Sequence, residues 1–266
     1  MGFSCCEAAP GVRHIGDGLG NFCTLLTGTR RAVLFDTMMG LGDLRGFVES
    51  LCPLPLTVIC SHGHFDHVGG SRQFGAVGLH PADLPLLALG PGQIPVLERT
   101  LERPLDGMED SFRPERFRPV LPGRVLDLGG MTAEVVDLSG HTPGSIGLLC
   151  RERRLLLVGD GLSPQMCLLF PESLPLDHYA RLLDRAEGLS FDRFLAAHFS
   201  APFSKDSLDR FRDCIPLVGK GHGMDYVFGP LPYIRGQVYV SRTREPETGQ
   251  LICLIVKPGT PPLGGG

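Results

Sequence analysis

Residues 56–70 read LTVICSHGHFDHVGG, a short apolar run followed at once by a polar loop. The apolar run shows no alternation with polar residues, which is typical of a strand buried on both faces. His62, His64, Asp66 and His67 then place four potential metal ligands within six residues. Imidazole is the commonest zinc ligand, and carboxylate is compatible with it. Since the chain has only nine histidines in 266 residues, we interpret this loop as metal-binding.

Three other segments place a ligand-type side chain at the end of a predicted strand. His141 lies in the turn GHTPG at 140–144. Asp160 follows the apolar run RLLLVG, and His198 follows the short run RFLAA. Loops at strand ends carry active sites on a rigid sheet. With the first loop they supply seven ligands, enough for two ions with positions left for water and substrate.

Four motifs in this order, HxHxDH, GHTPGS, GD and AH, resemble the metallo-β-lactamase superfamily over roughly residues 12–200. The resemblance implies an α/β fold, a four-layer αββα sandwich, with two divalent metal ions per chain. It implies a first ion held by His62, His64 and His141, a second held by Asp66, His67 and His198, and Asp160 as the bridge. Asp36, in the segment LFDT, matches a family position that supports the site from behind the ligands.

The order of strands and helices favours a layered α/β protein, and we expect one domain over residues 1–266. We place its core at about 12–215, an insertion at 90–122 and a C-terminal extension at 216–266.

The insertion and the extension carry no catalytic motif. The insertion has six prolines, many charges and weak periodicity, which favours a loop over one face that could serve as a lid. Met108, Phe112 and Phe117 within it either line an acyl pocket or pack into the core. In the extension, residues 237–242 and 250–256 predict a β-hairpin, whose edge could pair with a second copy in a homodimer.

Composition narrows the function classes. Hydrophobic residues are 42% and charged residues 20%, which is typical of a globular protein. The net charge of −4 offers no excess of positive charge for a phosphate backbone, so we expect a small-molecule substrate and no nucleic-acid partner. Nine cysteines without a CxxC pair, and no signal-peptide pattern, favour reduced thiols and a cytoplasmic location. No run of 18 apolar residues occurs, so we expect no membrane span.

The ligand set favours hydrolysis by water. Two divalent ions lower the pKa of a bridging water, and Asp66 would orient the resulting hydroxide as the catalytic residue. Zinc is favoured by the histidine-rich set, while iron and manganese are compatible with it. We therefore expect a metal-dependent hydrolase that acts on a small carbonyl substrate.

We expect an acyl-CoA or another thioester as the substrate, because HFDHVGG, QFGAVGLHPAD and GHTPGSIGLL resemble segments of acyl-CoA thioesterases of the superfamily. A lactonase or β-lactamase activity at the same site is the alternative. An iron-dependent redox enzyme is the alternative of another class. His222, Tyr226 and Tyr233, in and after a glycine-rich loop, are the candidate substrate-binding residues.

Overall fold

The computed structural model describes residues 2–229 and 233–263. Within these residues, two large sheets stack face to face, and helices cover both outer faces. This arrangement confirms the expected αββα sandwich. The helices are α1 (Leu44–Leu51), α2 (Phe65–Val68), α3 (Gly90–Leu101), α4 (Leu176–Glu187) and α5 (Ser207–Cys214). The strands are β1 (Ser4–Ala9), β2 (Val12–Gly16), β3 (Phe22–Thr27), β4 (Ala32–Phe35), β5 (Leu56–Ile59), β6 (Val77–Leu79), β7 (Phe117–Pro119), β8 (Val125–Asp127), β9 (Thr132–Asp137), β10 (Ile146–Cys150), β11 (Leu155–Gly159), β12 (Gln165–Leu168), β13 (Arg193–Ala196), β14 (Phe203–Ser204), β15 (Met224–Val227), β16 (Arg235–Arg244) and β17 (Leu251–Val256).

The first sheet joins β1 to β7 in the order of the sequence. Its strands pair antiparallel from β1 to β4 and parallel from β4 to β7. The second sheet has the order β14-β13-β11-β10-β9-β8. There β11 and β13 run parallel, while the other neighbours are antiparallel.

The two sheets enclose an apolar interior. Val33 and Ile59 of the first sheet share this interior with Val135, Leu148 and Leu157 of the second, and all five are buried. The neighbour of Ile59 in β5, Val58, is buried on the opposite face against the outer helices. Burial on both faces explains why the run at the start of the ligand loop is continuously apolar.

The apolar spacing in residues 176–187 predicts an amphipathic helix, and α4, which covers the second sheet, occupies the same residues. Its buried residues Leu176, Tyr179, Leu182, Leu183 and Ala186 recur at spacings of three and four. A helix needs about 20 apolar residues to cross a bilayer, and the described part of the chain holds no helix that meets this need.

The predicted C-terminal hairpin is confirmed as β16 and β17, and it belongs to a larger third sheet with the order β12-β17-β16-β15. One face of this sheet, with Met166, Tyr239 and Leu254, is buried in the core beneath α4 and α5. The C-terminal strands therefore complete the core of the sandwich. Neither β12 nor β15 is evident in the sequence, because both are only four residues long and flanked by turn-forming residues.

The insertion at 90–122 differs from the predicted loop, because it begins with the 12-residue helix α3 and ends in the edge strand β7. Proline in the first turn of a helix loses no hydrogen bond, so Pro91 is tolerated there. Pro95 lies further inside the helix, where it removes one backbone N–H donor. Met108, Phe112 and Phe117 are buried against the outer face of the first sheet. Core packing, rather than an acyl pocket, is thus the role of these three side chains.

Leu254→Ala tests whether the third sheet is part of the cooperative core. The Leu254 side chain is fully buried, so the substitution is expected to lower the free energy of unfolding by about 2–5 kcal/mol in urea denaturation. Leu121→Ala, at a side chain that is 55% exposed, is the control and should change it by less than about 0.5 kcal/mol. If both variants changed the free energy of unfolding by the same small amount, the third sheet would not be part of the cooperative core.

Candidate metal centre

The seven predicted ligands lie together where strands of both large sheets end. The loop with His62 and His64 follows β5, and His141 lies in the turn between β9 and β10. Asp160 directly follows β11, and one residue separates His198 from the end of β13. Parallel strands end at the same edge of a sheet, which explains how residues far apart in sequence meet.

Three imidazoles form the first group. His62 Nε2 and His141 Nε2 each lie 3.0 Å from His64 Nδ1. His62 is fully buried and His141 is 2% exposed. Three nitrogen atoms that converge in this way could hold one metal ion.

The second group adds two carboxylates. Asp66 Oδ2 lies 3.4 Å from His198 Nε2 and 3.8 Å from His67 Nε2. Asp160 Oδ2 lies 3.4 Å from His198 Nε2 and 3.7 Å from both His67 Nε2 and His141 Nε2. Asp160 therefore lies between the two groups, at the place that a bridging ligand requires.

Two buried polar atoms of this cluster lack a hydrogen-bond partner within the described residues, namely His67 Nε2 and Asp160 Oδ1. An unpaired buried polar group costs about 1–3 kcal/mol. Imidazole nitrogens and carboxylate oxygens are the ligands that zinc binds in hydrolytic sites. Both the unpaired atoms and the donor set therefore fit divalent metal ions.

Asp36 orients the second group from behind. Its Oδ1 accepts a hydrogen bond of 2.6 Å from the Ser61 backbone N–H, and its Oδ2 lies 3.0 Å from His67 Nδ1. This leaves His67 Nε2 directed at the cluster. Asp36 adopts a φ of 70°, a left-handed conformation that aspartate tolerates better than most residues. The predicted supporting position of Asp36 thus has a direct contact to one ligand.

Other partners fix the remaining rings. His141 Nδ1 donates to the Cys167 carbonyl at 2.7 Å, and His198 Nδ1 donates to the Gly20 carbonyl at 3.1 Å. Each bond leaves Nε2 free to act as the ligand atom.

Two glycine-dependent contacts hold the ligand loops against each other. Asp83 is fully buried and accepts hydrogen bonds from the Gly63 N–H at 2.9 Å, the Gly144 N–H at 2.7 Å and the Thr142 hydroxyl at 2.6 Å. A Cβ at Gly144 would lie 2.6 Å from Asp83 Oδ1, so a larger residue does not fit there. Sequence reasoning missed Asp83, although it ends the conspicuous segment QFGAVGLHPAD.

Gly159 shows the same kind of constraint between the two sheets. It has a φ of 51°, and a Cβ there would lie 2.4 Å from Ser61 Oγ. Glycine at this position lets the end of β11 approach the ligand loop and brings Asp160 into the cluster.

The electrostatics of the cluster differ between its two ends. Burial holds the pKa of His62 well below its ordinary value and lowers the pKa of His141 to about 4. Burial also opposes protonation of His67 and His198, but the surrounding carboxylates raise the pKa of His67 to about 9, and Asp160 raises that of His198 to about 10. The carboxylate-rich end therefore attracts positive charge, which divalent cations would supply in place of protons.

The segment after β12 adds two residues that sequence reasoning missed. Glu172 Oε1 lies 2.6 Å from His64 Nε2, which directs His64 Nδ1 to the cluster. The Phe170 ring packs edge-on against His64 and His141, with centroids 5.1 and 5.5 Å apart. Lys257 supports this segment by donating to the Pro171 carbonyl at 3.2 Å. No motif marks either residue, because both act through contacts with distant parts of the chain.

The three candidate substrate-binding residues have different positions. His222 is exposed in the turn before β15, and Tyr233 is 76% exposed. Among the described residues, neither side chain belongs to the ligand groups around Asp160. Tyr226 is partly buried in β15, where burial and the nearby Cys167 and Cys253 thiols raise its pKa.

Comparisons with known proteins identify several relatives of this chain. Human acyl-coenzyme A thioesterase MBLAC2 is 31% identical over 156 residues, which cover 51% of this chain and 56% of that protein. The chicken protein of the same name is 28% identical over 200 residues, covering 66% of this chain and 71% of that protein. The hydroxyacylglutathione hydrolase GloC of Haemophilus influenzae is 33% identical over 130 residues, covering 46% of this chain and 58% of that protein. The chain thus spans little more than half the length of the human relative.

Solved structures show the same fold at low sequence identity. A metallo-beta-lactamase family protein from Thermus thermophilus has a TM-score of 0.56 at 22% identity, covering 77% of this chain and 79% of that one. The sec-alkylsulfatase Pisa1 from Pseudomonas sp. has a TM-score of 0.63 at 17% identity, covering 82% of this chain and 42% of that one. The family model "Metallo-beta-lactamase superfamily" matches residues 16–198, a range that includes all seven clustered side chains. Because this match covers more than half of the 266 residues, the chain belongs to the metallo-β-lactamase superfamily.

Proposed function

We propose that this chain is a two-metal hydrolase of acyl thioesters, with zinc as its metal. The observation that carries the proposal is the position of Asp160 between two ligand groups, with its Oδ2 within 3.7 Å of His67, His141 and His198. When bound, two divalent ions supply Lewis acidity and lower the pKa of water at the site.

Within the cluster, we assign the role of proton acceptor to Asp66. Asp66 is 30% exposed and Asp160 is 14% exposed, so Asp66 is the carboxylate that an incoming substrate and its water reach first. Partial burial opposes ionisation of Asp66, but His67 and His198 beside it hold its pKa below the ordinary value. Asp66 Oδ2 is therefore ionised and can accept the proton of an attacking water.

The thioester part of the proposal is supported by the relatives. An acyl-coenzyme A and a hydroxyacylglutathione each carry an acyl group on sulfur, and these are the compounds named for the two kinds of relative. A thiolate is a good leaving group and a good zinc ligand, which suits the same site.

Thiol release from acetyl-CoA and decanoyl-CoA by zinc-loaded protein tests this function. We expect two zinc ions per chain by elemental analysis, and loss of thiol release after chelation that returns with added zinc. Absence of thiol release from all thioesters by protein with two zinc ions bound would refute the thioester assignment.

His64→Ala and Asp160→Ala each remove a ligand, so each is expected to lower kcat/KM on the order of 100-fold or more and to reduce the bound zinc. His178→Ala is the control, because His178 bonds to Ser139 outside the cluster. It should retain activity within about twofold. Wild-type zinc content and turnover in Asp160→Ala would contradict the assigned site.

Asp36→Asn tests the orientation of His67. Asparagine keeps the volume and tolerates the left-handed φ, but its neutral amide holds the His67 Nδ1–H more weakly. We expect zinc affinity to fall about 10–100-fold in competition with a chromophoric chelator. An unchanged affinity would show that the ring stays oriented without the Asp36 charge.

A further inference from the structure

The third sheet has one face buried in the core, and its opposite face lies beside the candidate metal centre. Backbone pairing aligns Cys167, Ile255, Val238 and Met224 in one row across its four strands. Paired residues on neighbouring strands point to the same side of a sheet. The adjacent residues Met166, Leu254 and Tyr239 are buried on the other side, so this row belongs to the opposite face of the sheet. Within the row, the central Ile255 is only 1% exposed, while Met224 at one end is 56% exposed.

Further apolar side chains flank this row. Val240 is paired with Cys253, and Tyr226 lies two residues after Met224 on the same side. We call this surface the apolar sheet face and define it by Cys167, Met224, Tyr226, Val238, Val240 and Cys253. Met224 is 56% exposed, while the other five are partly buried. None of the six carries a charge, so the surface favours an uncharged apolar ligand.

The apolar sheet face is continuous with the metal centre. The Cys167 carbonyl accepts the hydrogen bond from His141 Nδ1, so the row begins directly behind a ligand.

The rings of Phe170 and Phe228 make a second connection between the apolar sheet face and the candidate metal centre. Phe170 contacts the rings of His64 and His141, and its centroid lies 5.3 Å from that of Phe228, the residue after β15. The aromatic pair thus leads from the ligands to the strand that carries Met224 and Tyr226.

We propose that the apolar sheet face binds the acyl chain of the substrate, with the thioester at the Cys167 end and the terminal methyl group towards Met224. This inference rests on the proposed thioesterase function and deepens it. Neighbouring strands are about 4.8 Å apart, so the four strands together span about 14 Å, which matches the length of a medium-chain acyl group. The acyl chain would lie over the partly buried and exposed side chains that surround the buried Ile255.

Chain-length dependence is the first test. Each methylene buried against the face should raise kcat/KM about twofold to fourfold, so decanoyl-CoA, with about eight more methylene groups, should exceed acetyl-CoA by more than about 100-fold. Met224→Asp should lower the decanoyl-to-acetyl ratio of kcat/KM at least tenfold. Val125→Asp is the matched control, because Val125 is 57% exposed on β8, the edge strand of the second sheet. It should leave the ratio unchanged.

Direct binding is the second test, and it does not need turnover. The chain contains no tryptophan, so Met224→Trp creates a single fluorescent reporter on the face. Binding of S-decyl-CoA, a thioether that cannot be hydrolysed, should shift the tryptophan emission of this variant to shorter wavelength. Val125→Trp should show no shift.

The outcomes separate this inference from the proposed function. Thiol release that is independent of chain length, or an equal ratio in Met224→Asp and the wild type, would overturn the acyl subsite and leave the thioesterase. No thiol release at any chain length would refute the thioesterase itself. If Met224→Asp instead converts a dimer to a monomer in sedimentation and leaves the ratio unchanged, the face is a contact between copies and the subsite is refuted.

Discussion

The carboxylate of Asp36 is the contact on which the ligand loop depends. It holds the Ser61 backbone at the end of β5 and the His67 ring at the start of α2, so the loop between them is fixed at both ends. Asp83 then joins this loop to the turn that carries His141. These two buried carboxylates restrict the orientation of the clustered side chains, and a restricted geometry lowers the entropic cost of binding a ligand.

Much of the fold and the ligand cluster follows from local signals in the sequence. Periodicity predicts α4, and the continuous apolar runs predict β5 and β11, because each pattern reflects burial of one element against the core. The ligand motifs lie at strand ends, so the topology brings them together. The metal-binding role of these residues remains a prediction.

Other features could not be predicted, because they arise from contacts between distant segments. Glu172 meets His64 across 108 residues, and Phe170 reaches the same ring from a segment without a motif. The helix α3 is not evident in the sequence because it contains two prolines, Pro91 in its first turn and Pro95 in its interior. The strands β12 and β15 depend on their pairing with the hairpin, since four-residue segments have no stable structure alone.

The close approach at Gly159 has a consequence for the rigidity of the whole sandwich. Gly159 belongs to the second sheet, and Ser61 follows a strand of the first, so at this point the backbone of one sheet lies directly against a side chain at the end of the other. A change in how the two sheets pack at this point would therefore move the backbone next to Asp160. The position of this carboxylate thus depends on the packing between two layers as well as on its own strand.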